Sequence, residues 1–247
     1  MNNEIVNVKN LAATFGKNKV LRDISFSAFE NEITVILGTS GCGKTTVLKH
    51  LIGLYPVQQG EITILGKRID GIDEDEFSKF KLNLGVLFQK GALLNSLTVG
   101  ENIAVALEQH SQLNEEMIED LVRVKLKLVG LAHTYDYLPE QLSGGMLKRA
   151  ALARAISMDP LLLFCDEPSA GLDPVTLADL DDLFLKLKKQ LGISILLVTH
   201  EVASIKRLAD RIIYLDKGKV LFQGTIEEAL ESKVSQVIKF FKKGMTN

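Results

Sequence analysis

The sequence predicts an α/β fold, in which a core of alternating strands and helices carries an antiparallel β subdomain and a helical insertion. Three apolar runs, Ile33–Leu37, Leu161–Cys165 and Ile193–Val198, are continuous and aliphatic, as are strands buried on both faces of a parallel sheet. Ile24–Phe29 instead alternates between apolar and polar residues, which is typical of an antiparallel strand with one solvated face. The middle third, Gln89–Met158, shows helical patterning and no convincing strand.

The chain of 247 residues fits one domain, which these patterns divide into three parts. We expect residues 1–88 and 159–224 to form the α/β core with its β subdomain, residues 89–158 to form a helical subdomain, and residues 225–247 to form a helical tail. Helix starts are indicated by residue pairs three apart that resemble capping boxes: Asp73 and Glu76, Thr98 and Glu101, and Thr225 and Glu228.

Composition and charge exclude several classes of function. Lys and Arg number 29 against 31 Asp and Glu, so the net charge is −2 and no positive field would attract a nucleic acid. The two cysteines, Cys42 and Cys165, imply no disulfide framework and favour a reducing, cytoplasmic compartment. The first ten residues contain no apolar signal region, and no apolar run approaches the ~20 residues that a membrane-spanning helix needs. We therefore expect a folded cytoplasmic protein that does not itself cross a membrane.

A phosphate-binding loop follows the first of the buried strands. Residues 38–45, GTSGCGKT, fit the pattern G-x-x-x-x-G-K-[ST] between that strand and an apolar helix expected over Val47–Leu54. The glycines allow successive backbone N–H groups to point at phosphate oxygens, and the N-terminus of the helix adds a positive dipole. Lys44 is expected to reach the β- and γ-phosphates, Thr45 to ligate Mg²⁺, and Thr46 to lie at the α-phosphate. The expected nucleotide-binding residues of this segment are Gly38, Thr39, Ser40, Gly41, Cys42, Gly43, Lys44, Thr45 and Thr46.

Two adjacent carboxylates, Asp166 and Glu167, end the second buried strand. Buried carboxylates are costly unless they meet a cation or a proton. We therefore expect Asp166 to hold the Mg²⁺ ion and Glu167 to orient or deprotonate the water that attacks the terminal phosphate. Together with the loop around Lys44, these carboxylates predict a nucleoside triphosphatase.

The segment Leu142–Met146, LSGGM, makes the sequence resemble the ATP-binding cassette (ABC) ATPases, whose signature is L-S-G-G-Q. It precedes a helix expected over Leu147–Met158, with Ser143 as the N-cap residue. The resemblance implies that Ser143, Gly144 and Gly145 of one subunit close on the γ-phosphate bound by a second copy of the chain. Two ATP molecules would then lie between two subunits arranged head to tail.

Further landmarks of this family occur in the expected order. By resemblance, Gln89 corresponds to the glutamine that touches Mg²⁺ and the water and that links the ATP site to a membrane partner. His200 corresponds to the switch histidine that contacts the γ-phosphate, and Ser169–Asp173 to the loop that crosses the dimer interface. Phe15 corresponds to the aromatic residue that stacks on adenine, with Val20 expected near the ribose. The resemblance implies an active ATPase with ATP and Mg²⁺ as cofactors, in which Glu167, Gln89 and His200 are the catalytic residues.

Within the family, the sequence is most similar to the Mla (maintenance of lipid asymmetry) branch, whose ATPases serve Mce-protein lipid transport. The similarity lies in residues 86–93 and 97–102, in residues 143–155 and in residues 236–240. It implies a homodimer peripheral on the cytoplasmic face of the inner membrane. The expected partners are a separate permease, an Mce-domain lipid-binding protein and a small regulatory subunit.

Two alternatives stay open at this point: the ATPase of a polar-solute (amino-acid type) importer and a soluble ATPase of iron–sulfur assembly. ABC ATPases of translation usually carry two cassettes, and a chain of 247 residues has room for one. Those of DNA repair split their halves with a long coiled coil, and the sequence shows no sustained heptad run.

Overall fold

The computed structural model describes residues 3–243, with side-chain environments up to residue 242; residues 1, 2 and 244–247, at the two ends of the predicted domain, lie outside the described part. The strands of the described part are β1 (Glu4–Phe15), β2 (Asn18–Phe29), β3 (Ile33–Gly38), β4 (Gln59–Ile64), β5 (Lys67–Arg68), β6 (Leu84–Leu87), β7 (Leu162–Asp166), β8 (Ser194–Val198), β9 (Arg211–Asp216) and β10 (Lys219–Thr225). Its α-helices are α1 (Lys44–Leu51), α2 (Glu74–Phe80), α3 (Val99–His110), α4 (Glu115–Leu128), α5 (Gly144–Ala155), α6 (Pro174–Leu191), α7 (Val202–Leu208), α8 (Ile226–Leu230) and α9 (Ser235–Lys243). Within residues 3–243, every helix is too short or too polar to cross a membrane.

Six strands form the central sheet in the order β10-β9-β3-β8-β7-β6, and all neighbours except β10 and β9 run parallel. Strand β3 is buried along its whole length, between β8 and β9. Because the carboxyl ends of parallel strands meet at one edge of a sheet, the segments that follow β3, β6, β7 and β8 converge there. These segments carry the phosphate-binding loop, Gln89, Glu167 and His200.

A second sheet forms the antiparallel β subdomain, in the order β2-β1-β4-β5. Helix α1 lies between the two sheets, because its Val47, Leu48 and Leu51 share one buried cluster with Val6 of β1 and Ile36 of β3. The N-terminus of α1, where the phosphate-binding loop ends, is thus fixed by packing on both sides. The predicted α/β class with an antiparallel β subdomain is confirmed.

The other face of the central sheet is covered by helices α3 to α7, whose buried residues form a continuous cluster with Val35 and Leu37 of β3. No strand occurs between β6 and β7, so the middle of the described chain is helical, as the patterning predicted. Helix α9 joins the same cluster through Val237 and Phe241, which are 0% and 4% exposed. Its Lys239 is exposed, so the tail helix is amphipathic, as expected.

Several predicted helix limits are wrong by about a turn. Helix α5 begins at Gly144 instead of Leu147, because the Ser143 hydroxyl accepts a hydrogen bond from the backbone N–H of Met146 and caps the helix there. The two signature glycines therefore belong to the first turn of α5. Helix α1 ends at Leu51, so Leu54, which was expected inside it, is 56% exposed.

The capping boxes expected at Thr98 and Thr225 form with both of their hydrogen bonds. The one expected at Asp73 is only half formed. The Asp73 carboxylate accepts hydrogen bonds from two backbone N–H groups of the first turn of α2, as an N-cap residue does. The carboxylate of Glu76, however, pairs with the Lys67 ammonium of β5 at 2.6 Å. Glu76 therefore pairs with Lys67 instead of the backbone N–H of Asp73, which a complete capping box requires.

Asp181 is a buried acid at the contact of α6 with α7. Its side chain is 2% exposed, and burial raises its pKa to about 6, against smaller opposing effects of the Ser204 hydroxyl and Arg207. The neighbouring carboxylates Asp182 and Glu201 add to the rise. Within the described residues, neither Oδ2 of Asp181 nor the nearby Ser204 hydroxyl forms a hydrogen bond of normal geometry. Ionised Asp181 is therefore unfavourable in the folded chain.

This burial predicts that Asp181→Asn stabilises the protein in a pH-dependent way. Because the folded pKa lies above the unfolded value, the contribution of Asp181 to stability is largest below about pH 4 and falls as the pH rises to about 6. We expect the gain in free energy of unfolding from Asp181→Asn to be about 2 kcal/mol larger at pH 7.5 than at pH 4.5. Urea denaturation at both pH values measures it, with the exposed Asp179→Asn on the same helix as control. Equal gains at the two pH values would contradict the assignment.

Candidate functional site

The phosphate-binding loop connects β3 to α1, and its curve depends on glycine. The φ angles are 147° at Gly38, 75° at Gly41 and 108° at Gly43, a region that residues with a Cβ rarely adopt. Gly38 also has no room for a side chain, because a Cβ there would lie 2.0 Å from the backbone oxygen of Leu215 on β9. Any other residue at Gly38 would push β9 away from β3 and distort the loop.

Lys44, the first residue of α1, places its ammonium over this loop. Its Nζ donates hydrogen bonds to the carbonyl oxygens of Gly38 at 3.0 Å and Thr39 at 3.2 Å. The positive end of α1 points to the same place. A fixed cation and an open helix N-terminus together suit a polyphosphate.

Thr45 and Asp166 bring two oxygen atoms together next to the loop. The Thr45 hydroxyl donates to Oδ1 of Asp166 at 3.3 Å, which joins α1 to the end of β7. Burial raises the pKa of Asp166 and the charge of Glu167 adds to the rise, while the Thr45 hydrogen bond and the charges of Lys49 and Lys44 act in the opposite direction. A cation at this point would offset the cost of burying the carboxylate.

The donor atoms at this place fit Mg²⁺, which prefers oxygen ligands and commonly uses only one or two protein carboxylates with substrate phosphates. The described residues contain no cluster of three or more His, Cys, Asp or Glu side chains suited to a metal ion. The metal ligands expected from the sequence were Thr45, Asp166 and Gln89, and the first two are hydrogen-bonded to each other here.

Glu167 and His200 are hydrogen-bonded to each other. Nδ1 of His200 lies 2.9 Å from Oε1 of Glu167, and the two residues follow the adjacent strands β7 and β8. Glu167 has a φ of 46°, which is uncommon for a residue with a side chain, and its backbone N–H donates to the Val198 carbonyl at 2.8 Å. The strand pairing thus maintains a strained conformation that turns the carboxylate towards the loop. His200 remains open to solvent, at 67% exposure.

A cavity of about 730 Å³ lies at this edge of the sheet. Most of the residues expected at the ATP site line it: Val20, Gly38, Thr39, Ser40, Gly41, Gly43, Lys44, Thr45, Thr46, Gln89, Glu167 and His200. The volume is in the range that small-molecule sites occupy. The structure therefore collects on one cavity residues that are up to 180 positions apart in the sequence.

Other expected site residues are not among those that line the cavity. The ring of Phe15 is 40% exposed and packs against Tyr55, with 5.2 Å between centroids, instead of lining the cavity. The Cys42 side chain is buried behind the loop, so only its backbone could serve a phosphate. Asp166 does not line the cavity itself, but it is hydrogen-bonded to Thr45, which does. The signature residues Ser143, Gly144 and Gly145 form the N-terminus of α5, away from the cavity lining, and Ser143 and Gly144 are exposed.

Two cavity-lining residues were not expected from the sequence. Val202 begins α7, two residues after His200. Phe240 comes from the tail helix α9, and its ring meets that of the buried Tyr214 nearly edge-on, at 5.9 Å between centroids and 79°. The amphipathic pattern of the tail indicated a buried face but not the elements that this face would contact.

Comparison with known proteins agrees with this geometry. The family model described as "ABC transporter" matches residues 21–170. The intermembrane phospholipid transport system ATP-binding protein MlaF of Haemophilus influenzae is 36% identical, over 98% of this chain and 92% of its own. The probable ribonucleotide transport ATP-binding protein mkl of Mycobacterium leprae is 38% identical, over 95% and 68%. The methionine import ATP-binding protein MetN of Lactobacillus johnsonii is 36% identical, over 97% and 70%.

Among solved structures, a dimeric ATP-binding cassette in a post-hydrolysis state, bound to ADP and Pi, superposes with a TM-score of 0.82. It is 29% identical, and the match covers 90% of this chain and 98% of that one. Its cassette architecture corresponds to the two sheets and the helical region described above. These matches confirm the predicted fold class and the resemblance stated from the sequence.

Proposed function

Because this chain belongs to the ABC transporter family and is one of its ATP-hydrolysing cassettes, we propose that it powers a permease that moves phospholipid. The convergence of Lys44, Glu167 and His200 on one cavity supports the catalytic part of this proposal. The cargo rests on the coverage of the MlaF match, which spans nearly both whole chains. Relatives named for methionine and ribonucleotide transport match almost as well, so the cargo needs its own experiment.

In the proposed mechanism, Lys44 and the loop amides neutralise and orient the phosphates. Glu167 accepts the proton of the attacking water, and His200, hydrogen-bonded to it, holds the carboxylate in place and contacts the γ-phosphate. Gln89 orients the water from the other side of the cavity. Mg²⁺, held by Thr45, Asp166 and Gln89, would supply further charge neutralisation at the phosphates.

We propose that the working unit is a homodimer. The N-terminus of α5 exposes Ser143 and Gly144, and neither residue lines the cavity of its own chain. An exposed helix N-terminus suits an anion supplied by another molecule. A second copy, placed head to tail, would bring its Ser143 to the γ-phosphate at Lys44 and complete each site.

A groove of about 300 Å³ is the proposed docking place of the permease. It lies between β6, α3 and the end of α5, and its apolar lining includes Leu84, Val86, Val105, Ala106 and Met158. Strand β6 leads directly into Gln89. A segment of the permease in this groove would therefore touch the element that carries a catalytic side chain.

The groove predicts that Val105→Glu separates the chain from its permease and leaves its own ATP site intact. A carboxylate in place of an apolar side chain of this lining opposes docking of an apolar surface. We expect affinity purification from detergent-solubilised native membranes to lose every integral membrane partner with Val105→Glu and to retain them with Leu191→Glu. Leu191 is 42% exposed at the end of α6 and serves as the control. Retention of the permease by Val105→Glu would reject this docking place.

The phospholipid proposal is tested with the complex that this purification yields, reconstituted in lipid nanodiscs. We expect ATP-dependent movement of a fluorescent phospholipid between the nanodisc and an acceptor protein or vesicle. In parallel, radiolabelled methionine and a ribonucleotide are assayed for uptake in proteoliposomes. Transport of methionine or ribonucleotide, without movement of phospholipid, would replace the proposed cargo. An MCE-type lipid-binding protein and a small regulatory subunit among the copurified proteins would support it.

A further inference from the structure

The segment that carries Gln89 is bound along its backbone by two cations of the signature helix. The buried Lys148 of α5 donates a hydrogen bond to the carbonyl oxygen of Gln89. One turn and a half further along α5, Arg154 donates to the carbonyl oxygens of Gly91 at 2.9 Å and Ala92 at 2.7 Å. Burial lowers the pKa of both cations, and the carbonyls that they bind are neutral.

The backbone held in this way is strained and tightly packed. Ala92 has a φ of 55°, in the left-handed region that a side chain disfavours. Gly91 has a φ of 74°, and a Cβ there would lie 2.8 Å from Leu147 and 3.2 Å from Ala151 of α5. A strained turn of this kind persists only where surrounding contacts stabilise it. Arg154 stabilises it by donating hydrogen bonds to two of its carbonyl oxygens.

Arg154 also lines the groove proposed for the permease, beside Asn102 of α3. The amide of Asn102 binds the backbone of Leu94, both N–H and carbonyl, and so fixes the next part of the same segment. Gly91, Ala92 and Leu94 are therefore held by two side chains, Arg154 and Asn102, that also line the groove. Helix α5 itself begins at the exposed signature, at Ser143.

We propose that Arg154, assisted by Lys148, is a positioning residue that sets the place of Gln89 in the cavity and transmits movement of α5 to it. Docking in the groove, or contact of the signature with a partner's nucleotide, would shift α5 and with it the three bound carbonyls. The proposal rests on the role proposed for Gln89 in catalysis. In this proposal, Arg154 and Lys148, which lie outside the ATP cavity, couple that cavity to the groove.

The first test compares Arg154→Met, Arg154→Lys and Lys148→Met with Arg149→Met, a neighbour on the same helix, in the purified full-length chain. Methionine keeps the length of the side chain but removes the hydrogen bonds, and lysine keeps the charge but cannot bind two carbonyls in a fixed fork. We expect Arg154→Met to lower kcat at least about tenfold while the Kd for ATP and the KM stay within about threefold. Arg154→Lys is expected to fall between it and the wild type, Lys148→Met to lower kcat severalfold, and Arg149→Met to match the wild type.

A second readout follows the segment itself, independently of catalysis. The sequence contains no tryptophan, so Leu94→Trp, at a side chain that is 51% exposed, introduces a single tryptophan into the segment, which is excited selectively over the tyrosines. We expect its fluorescence anisotropy to fall when Arg154→Met or Arg154→Lys is added, and to stay unchanged with Arg149→Met. If Arg154→Met does not fold, the kcat and anisotropy of Arg154→Lys decide the question.

Unchanged kcat and anisotropy in both Arg154 variants would overturn the inference. So would a parallel loss of kcat, ATP affinity and melting temperature, since that is the result of a merely structural role. Gln89→Ala separates the two proposals. Wild-type kcat in Gln89→Ala, with reduced anisotropy in the Arg154 variants, would reject the catalytic role of Gln89. It would still support the conclusion that Arg154 fixes the segment that carries Gln89.

Discussion

Glu167→Gln is expected to bind ATP and to hydrolyse almost none of it. The amide can still accept the hydrogen bond of the His200 ring, at the position where Nδ1 and Oε1 are 2.9 Å apart, so the geometry of the cavity is retained. It cannot accept a proton from water, and general-base catalysis contributes roughly 10²- to 10⁴-fold to rate. We therefore expect kcat to fall at least about 100-fold, with a Kd for ATP within about threefold of the wild type.

The same variant should accumulate as a dimer when ATP is present. If two cassettes enclose two ATP molecules, a dimer that cannot hydrolyse them has no route to separate. Light scattering after size-exclusion chromatography, with and without ATP and Mg²⁺, measures this directly. Glu108→Gln, an exposed glutamate on α3, is the control and should remain active. Hydrolysis at the wild-type rate by Glu167→Gln would show that another group is the base.

The local part of this site could be predicted from the sequence because the residues that form it are consecutive. The turn from β3 through Gly38 to Lys44 is encoded by its glycines, its buried strand and the helix that follows. The same holds for the caps at Ser143 and Thr98, where a hydroxyl and the backbone N–H groups it binds are three residues apart. Local hydrogen bonding decides such elements, and tertiary packing changes them little.

The contacts that complete the site depend on strand order, so residue patterns alone do not predict them, and only the family resemblance assigned Glu167 and His200 to one ATP site. Glu167 and His200 meet because β7 and β8 are neighbours, which nothing in either strand specifies. Phe240 reaches the cavity because the α9 helix packs on Tyr214, and this contact joins the tail to the central sheet. The ring of Phe15, which was expected to stack on adenine, packs against Tyr55, 40 positions away, and the sequence around Phe15 does not indicate this contact.

The hydrogen bonds that fix the Gln89 segment could likewise not be predicted from the sequence. Lys148 and Arg154 are 59 and 62 or 63 positions from the carbonyls that they bind. A backbone carbonyl carries no sequence signal, since every residue has one. A lysine and an arginine on a helix next to a signature would ordinarily be taken as solvent-exposed charges.

Lys44→Ala, in contrast to Glu167→Gln, is expected to weaken ATP binding itself. Among the described residues, the Lys44 ammonium bonds to two carbonyls of its own loop, at 3.0 Å and 3.2 Å, so its removal costs the fold little. Hydrogen bonds to charged groups are worth about 1.5 to 3 kcal/mol, which corresponds to a loss of affinity of roughly 10- to 100-fold. We expect this loss for ATP, a smaller one for ADP, and a melting temperature close to that of the wild type.

Isothermal titration of ATP into the purified chain measures the effect, and Lys49→Ala provides the matched control. Lys49 lies on the same helix, five residues further on, and its ammonium contacts the ring of Tyr55 at 5.2 Å instead of lining the cavity. A general effect of net charge on a polyanion would weaken binding in both variants to a similar degree, because both lose one positive charge. A specific contact with the phosphates weakens it in Lys44→Ala alone. Equal affinities in Lys44→Ala and the wild type would show that Lys44 does not contribute to phosphate binding, and the role assigned to it in the phosphate-binding loop would have to be abandoned.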